Sequence, residues 1–243
     1  MLAPALWRFA DPLDGLASPV DPGSSRFVGA DILAPTEPIG VARTFGREDT
    51  IVAVGAEAAF RDTIVDGCVR TVHWVRGRRL IGAFLFPGDI VGLESLDRHD
   101  MGAEAVTPVR VRRYRREDLD RFAARDPVFS RRMREALTRR LRAAQAHAAL
   151  LADDSASGRV AGFLLDMADR LGQAGEVRVD LPMRRDDIAD YLGLSRTSVC
   201  LTMTRLRETG AIALRSSKTV LLERSRLEDL AGVAPPAMAL SAA

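Results

Sequence analysis

The segment Met183 to Thr209, MRRDDIADYLGLSRTSVCLTMTRLRET, constrains the fold of this chain more than any other. With Gly193 as a turn residue, Ala189 supplies the small residue wanted four positions earlier. Ile188 and Leu192 supply the apolar residues five and one earlier, and Leu194 and Val199 continue the seam beyond it. Two short helices meeting at a wide angle share such a seam, and a glycine accepts the backbone of the turn between them. Ser195 is placed to cap the second helix with its hydroxyl. That helix is expected over Arg196 to Glu208, with Arg196, Thr197, Cys200 and Leu201 on one face and Val199, Met203 and Leu206 on the other. The first face is suited to DNA and the second to a core. An amphipathic hairpin packed inside an enzyme satisfies the same periodicity, but the residues that follow favour DNA. After Gly210, AIALRSSKTVLLE reads as two short strands around Arg215-Ser216-Ser217-Lys218, a wing whose basic tip can contact phosphate without reading bases.

Upstream, short β-branched and apolar segments alternate with turn signals from Arg26 to about Arg116, the pattern of an antiparallel barrel or roll. The clearest hairpin is CVRTVHW, then VRGRR, then LIGAFLF, which brings Val69, Val72 and Phe84 towards one core around a turn at Gly77. A helix is then expected from Val128 to about Leu151. Along it Phe129, Met133, Leu137, Leu141, Ala144, Ala148 and Leu151 recur at steps of four and three. This stripe resembles a coiled-coil seam, and about 36 Å of helix is longer than one small domain needs, so a dimer interface is favoured over packing on the chain's own barrel. A second helix, about Ser155 to Leu171, carries Val160, Phe163, Leu164, Met167 and Leu171 on one face, with a hinge at Asp153 to Gly158.

The resulting architecture is α+β: a flexible arm over 1–25, docked by Trp7 and Phe9 if at all, a β-roll over 26–125, a dimerisation helix over 126–152, a winged helix-turn-helix over 153–232 and a disordered tail over 233–243. The net charge of +2 does not by itself argue for nucleic acid; the distribution carries more, with 13 Arg against five acids between Arg110 and Arg142. Arg131 to Arg142 is read as a solvated helix face rather than a phosphate contact. The DNA-contacting set is read as Arg184, Arg185, Ser195, Arg196, Thr197, Ser198, Cys200, Leu201, Arg205 and Lys218.

Other chemistries find little support. Cys68 and Cys200 make neither a CxxC nor a disulfide framework, which suits a reducing cytoplasm, and two cysteines cannot hold a four-cysteine iron–sulfur cluster in one chain. The longest apolar run, Leu80 to Phe86, is far short of the roughly 20 residues that span a bilayer, and the N-terminus lacks the pattern of a signal peptide. A metal-dependent barrel enzyme needs clustered ligands, yet His73, His99 and His147 stand apart, and neither GxSxG nor a phosphate-cradling glycine loop is present. His73 is expected to be packed or half-exposed and His99, in DRHD, solvated. No catalytic residue, metal or cofactor is expected.

The order of β-roll with FLFPGDIVGLES, long helix, then LPMRRDDIADYLGLSRTSV and a wing resembles the Crp/Fnr family of bacterial transcription regulators, with its FixK and Fnr branches most similar. The resemblance covers about residues 26 to 231. It implies a cyclic-nucleotide-binding-like roll, a homodimer with recognition helices in successive major grooves about 34 Å apart on a palindromic site, and contact with RNA polymerase. Three departures bear on function. Members that bind cyclic AMP hold ribose and phosphate with a Glu and an Arg-Ser pair, where this chain has Leu93 and Met101-Gly102. Fnr proper needs an N-terminal cysteine cluster, absent here, whereas FixK-like members lack both devices. Finally, relatives read TTGA-like half-sites through Glu-x-x-Ser-Arg, and this chain has Thr197, Cys200 and Leu201 there. The carboxylate that accepts from cytosine and the Arg that forks onto guanine are both missing. A changed site preference is therefore expected, with Thr197 and Leu201 on thymine methyls and Arg196 on guanine or phosphate.

Cys200 on the DNA face raises a second hypothesis, a thiol whose oxidation blocks docking, against a plain packing role. Two alternatives to an effector-independent DNA regulator stay open: a roll that senses haem or another small molecule, and a dimeric interaction module that has lost DNA selectivity.

Overall fold

Strands form where β-branched residues alternate with charged ones. In a computed structural model that describes residues 40–172, 178–216 and 218–232, eight strands build the N-terminal part of the chain: β1 (Val41–Phe45), β2 (Thr50–Val52), β3 (Phe60–Asp66), β4 (Val69–Val75), β5 (Arg78–Leu85), β6 (Ile90–Val91), β7 (Gly102–Ala105) and β8 (Val109–Arg115). They pair antiparallel in two four-stranded sheets, β1-β8-β3-β6 and β2-β7-β4-β5. In β8, Val109 and Val111 point inward while Arg110 stays exposed. With Ile51, Ile64, Val69, Leu85, Val91, Ala103 and Ala105 they form one core cluster. The hairpin falls where the sequence places it, turning at Arg76 (φ 50°) and Gly77 (φ 76°). Two successive positive φ values give the primed turn whose twist matches the flanking strands. Val69, Val72 and Phe84 are all buried.

Helix α1 (Arg116–Arg125) was not expected: its ten residues lie in a stretch dominated by arginines and acids, and only Leu119 is fully buried. Helix α2 (Pro127–Leu151) follows, its start fixed by Asp126, whose Oδ1 accepts from Val128 N at 2.8 Å and Phe129 N at 3.1 Å. Proline suits the first position because the helix start leaves its missing N–H unused. Phe129 packs edge-on against Phe122, with centroids 4.9 Å apart, in a second cluster with Ile90, Tyr114, Leu119 and Ala136. Two expectations need correction here. Phe129 is 1% exposed and Met133 is packed against the same cluster, so the head of the helix lies on the chain's own roll, the arrangement that the seam argument disfavoured. Leu137, Leu141, Ala144, Ala148 and Leu151 remain exposed. His99, expected to be solvated, is buried: its Nδ1 lies 2.9 Å from Ser95 Oγ and its ring fills the space beside Gly92.

The C-terminal part contains α3 (Ala156–Leu171), β9 (Arg178–Asp180), α4 (Arg185–Leu192), α5 (Arg196–Glu208), β10 (Ile212–Leu214), β11 (Thr219–Leu222) and α6 (Arg224–Leu230). Ser155 caps α3 by accepting from Gly158 N at 2.8 Å. The expected two-stranded wing has a third strand, in the order β10-β11-β9. The described residues fall into two compact units: 40–145 together with 182–195, and 146–172, 178–181, 196–216 and 218–232. The division is not linear, because α4 belongs with the roll. In the second unit α3 packs against α5, α6 and β9, and Arg224 Nη1 pairs with Asp169 at 2.7 Å. The arm over 1–25, Trp7, Phe9, Ser217 and the tail over 233–243 lie outside the described residues.

Candidate nucleic-acid interface

Helix α5 is built as its periodicity requires. Val199, Thr202, Met203 and Leu206 are buried, a row that anchors the helix in the second unit. Thr202 is the member that apolar periodicity alone missed. On the opposite side Arg196, Thr197, Cys200, Leu201 and Arg205 are all exposed. Leu201 is 56% exposed. Ser198 is half-buried, and Ser195 is the residue immediately before the helix. Cys200 carries an exposed thiol, while Cys68 is buried in the roll.

The wing contributes a second exposed group in the same unit. Ser216 Oγ accepts from Thr219 N at 2.9 Å and Lys218 N at 3.1 Å, a local turn that leaves the Lys218 side chain exposed. Thr219 Oγ1 donates to Asp180 Oδ1 at 2.6 Å, which ties the wing to β9. Arg196, Thr197, Cys200, Leu201 and Arg205 thus share one helix face, and Lys218 stands on the wing.

Arg184 and Arg185 are placed differently. They begin α4, in the first unit, where Arg184 is exposed with Nη2 3.9 Å from Glu48 Oε1 and Arg185 is half-buried. Helix α4 ends at Gly193 in a left-handed conformation (φ 64°, ψ 29°), and the amides of Gly193 and Leu194 both return to Ala189 O. The glycine and the small residue four positions before it therefore make the turn that the sequence anticipates.

Six residues of this region escaped the sequence reading. Arg70, on β4, is 3% exposed and donates Nη1 to Asp187 Oδ1 at 3.0 Å. Arg79, on β5, donates Nη2 to the same oxygen at 3.0 Å and Nε to Asp190 Oδ2 at 2.8 Å. Arg70 also donates to Glu104 Oε2, at 2.9 Å from Nε and 2.7 Å from Nη2, and to Glu48. Those bonds raise the Arg70 guanidinium above its ordinary value against the opposing effect of burial, and they lower the Glu48 carboxyl. Asp187 additionally accepts from Arg184 N at 3.1 Å, so one carboxylate both starts α4 and binds it to the roll. The only signal in the sequence was an arginine inside a strand pattern.

A sequence model of the Crp-like helix-turn-helix domain matches residues 158–230. The nitrogen fixation regulation protein FixK of Azorhizobium caulinodans is 39% identical over 197 residues, 79% of this chain and 79% of the relative. This chain belongs to the Crp/Fnr family, as a FixK-like regulator. The FixK of Bradyrhizobium diazoefficiens is 40% identical over 157 residues, 64% of this chain and 66% of that protein. The structure of FixK2 from Bradyrhizobium japonicum superposes with a TM-score of 0.76 at 35% identity, covering 81% of this chain and all of that one. CooA of Carboxydothermus hydrogenoformans, at 18% identity and a TM-score of 0.72, shares the fold. The regulator therefore has the α+β architecture of Crp and FixK proteins and carries a DNA-binding helix-turn-helix; its family is one of transcription regulators, not enzymes. Among the described residues, no helix is long and apolar enough to cross a membrane.

Proposed function

We propose that this FixK-like regulator acts as a homodimer that binds a palindromic promoter site through Arg196–Glu208 and contacts RNA polymerase there, without needing cyclic AMP or an iron–sulfur cluster. The observation that carries the reading is the face of α5 on which Arg196, Thr197, Cys200 and Leu201 are exposed, opposite the buried row of Val199, Thr202, Met203 and Leu206. Arg196 and Arg205 supply charge and forked donors, and Thr197 and Leu201 supply methyl groups suited to thymine. Ser195, Ser198, Arg184 and Arg185 are candidate phosphate contacts, with Lys218 acting from the wing. Dimerisation is assigned to the exposed part of the α2 stripe, Leu137, Leu141, Ala144, Ala148 and Leu151. A second copy is its expected occupant, since four-and-three spacing suits a two-helix seam.

Independence from cyclic AMP is supported by what fills the corresponding places. Leu93 packs against the apolar cluster of Ile90, Leu119 and Phe129, where a carboxylate would be needed for ribose. The Met101 methyl group lies against Gly82, where an added Cβ would meet it at 2.3 Å. A cyclic nucleotide does not fit these residues, because neither provides a partner for its anionic phosphate.

Selection from a random duplex library with reduced, cofactor-free protein tests this reading. An enriched palindrome with half-site centres about ten base pairs apart supports it. Enrichment only after an effector is added, or of single half-sites bound by a monomer, overturns it.

A further inference from the structure

The ion pairs between β4–β5 and α4 join the roll to the first helix of the helix-turn-helix, and they are costly to build. Arg70 and Asp187 are each about 3% exposed in their side chains, so both charges have been taken out of water. A buried pair of this kind contributes little net stability over an apolar one, but it specifies geometry closely, because either partner left alone in the interior is strongly unfavourable. Arg79 extends the contact outward to Asp190, and Phe84 meets Tyr191 beside it, with ring centroids 5.3 Å apart. Helix α4 is therefore docked on the roll by both charge and apolar contact.

Only Gly193, Leu194 and Ser195 separate α4 from α5, and two amides of that turn are fixed on Ala189. What holds α4 thus bears directly on where α5 begins.

We propose that Arg70, Arg79, Asp187 and Asp190 are positioning residues that hold the helix-turn-helix ready for DNA in the absence of an effector. This rests on the effector-independent reading above. In the proposed role the ion pairs replace the work of a bound ligand. A chain in which they are broken spends only part of its time in the competent arrangement, and its apparent affinity falls by that fraction.

The test uses the full-length protein and a duplex carrying its selected site. Arg79→Ala and Asp190→Ala break the outer, half-exposed pair, and Arg79→Lys, which keeps a positive charge facing Asp187 and Asp190, is the conservative variant. Binding is read by fluorescence anisotropy, and docking of α4 by hydrogen exchange of the amides over 188–192. Each alanine variant is expected to bind roughly tenfold more weakly with faster exchange, and Arg79→Lys to retain most of both. Arg70→Met, which keeps the stem and removes the charge, is expected to be weaker still. Wild-type affinity in the alanine variants despite faster exchange makes the contact purely structural and overturns the proposal. Tighter binding, or an Arg79→Lys protein that folds with native circular dichroism and binds as weakly as Arg79→Ala, overturns it as well. If wild-type protein binds only with an added effector, the effector-independent reading fails; comparing the variants under that same condition still decides the positioning role.

Discussion

Arg70 and Asp187 lie 117 positions apart in the sequence and 3.0 Å apart in the fold, guanidinium Nη1 to carboxylate Oδ1. Asp187 is therefore at once the residue that starts α4, through the Arg184 amide, and the buried counter-charge of a strand in the roll. Replacing it by alanine leaves Arg70 with Glu48 and Glu104 alone and removes a helix-start acceptor. A loss of about 3 kcal/mol is expected in urea unfolding. Asp187→Asn, which keeps the acceptor and the shape, is expected to lose less.

The two ends of the α2 stripe should respond differently to truncation. Phe129→Ala removes a ring packed against Phe122 and is expected to cost about 3–5 kcal/mol of folding stability. Leu141→Ala, at a position 60% exposed, should leave chain stability within about 0.5 kcal/mol and instead weaken self-association. Denaturant unfolding and sedimentation over a protein dilution series separate the two effects. Equal loss of self-association in both variants, with unchanged stability, would contradict the division.

On the reading head, Lys218→Ala is expected to lower affinity about equally for all duplexes and to reduce the slope of log affinity against log salt by about one. Leu201→Ala should instead relax preference at one base-pair position while leaving the salt slope unchanged. Titrations of matched and mutated sites at several salt concentrations read both quantities.

Oxidation of Cys200 adds polar bulk to the middle of the exposed α5 face. Treatment with peroxide is expected to weaken duplex binding by the wild-type protein, with recovery in reductant if the product is a sulfenic acid or disulfide. Cys200→Ser should bind equally before and after treatment. Unchanged wild-type binding after peroxide returns Cys200 to a passive contact.

Burial, reinforced by the nearby Arg61 charge, holds the His99 imidazole below its ordinary value of 6.5, against the smaller pull of Glu94, Asp62 and Asp100. The unfolded chain therefore takes up a proton at this side chain before the folded one does. Stability is fully present above about pH 6.5 and is lost as the pH falls from there through the lowered folded value. His99→Gln is expected to flatten the pH dependence of unfolding across that window, measured against the wild-type curve.

Much of this protein was legible in its sequence because the relevant interactions are local. The turn at Gly193, the seam of Val199, Met203 and Leu206 and the hairpin at Gly77 all depend on residues a few positions apart, where helical and strand periodicity governs which side chains meet. The exposed face of α5 followed from the same periodicity. The tertiary structure alone decided that α4 docks on the roll, that β9 completes the wing, that His99 is buried and that Phe129 turns inward onto Tyr114 and Phe122. In each of these the partner is distant in sequence, and a single chain's pattern specifies that a side chain needs burial or a counter-charge without specifying which remote surface provides it.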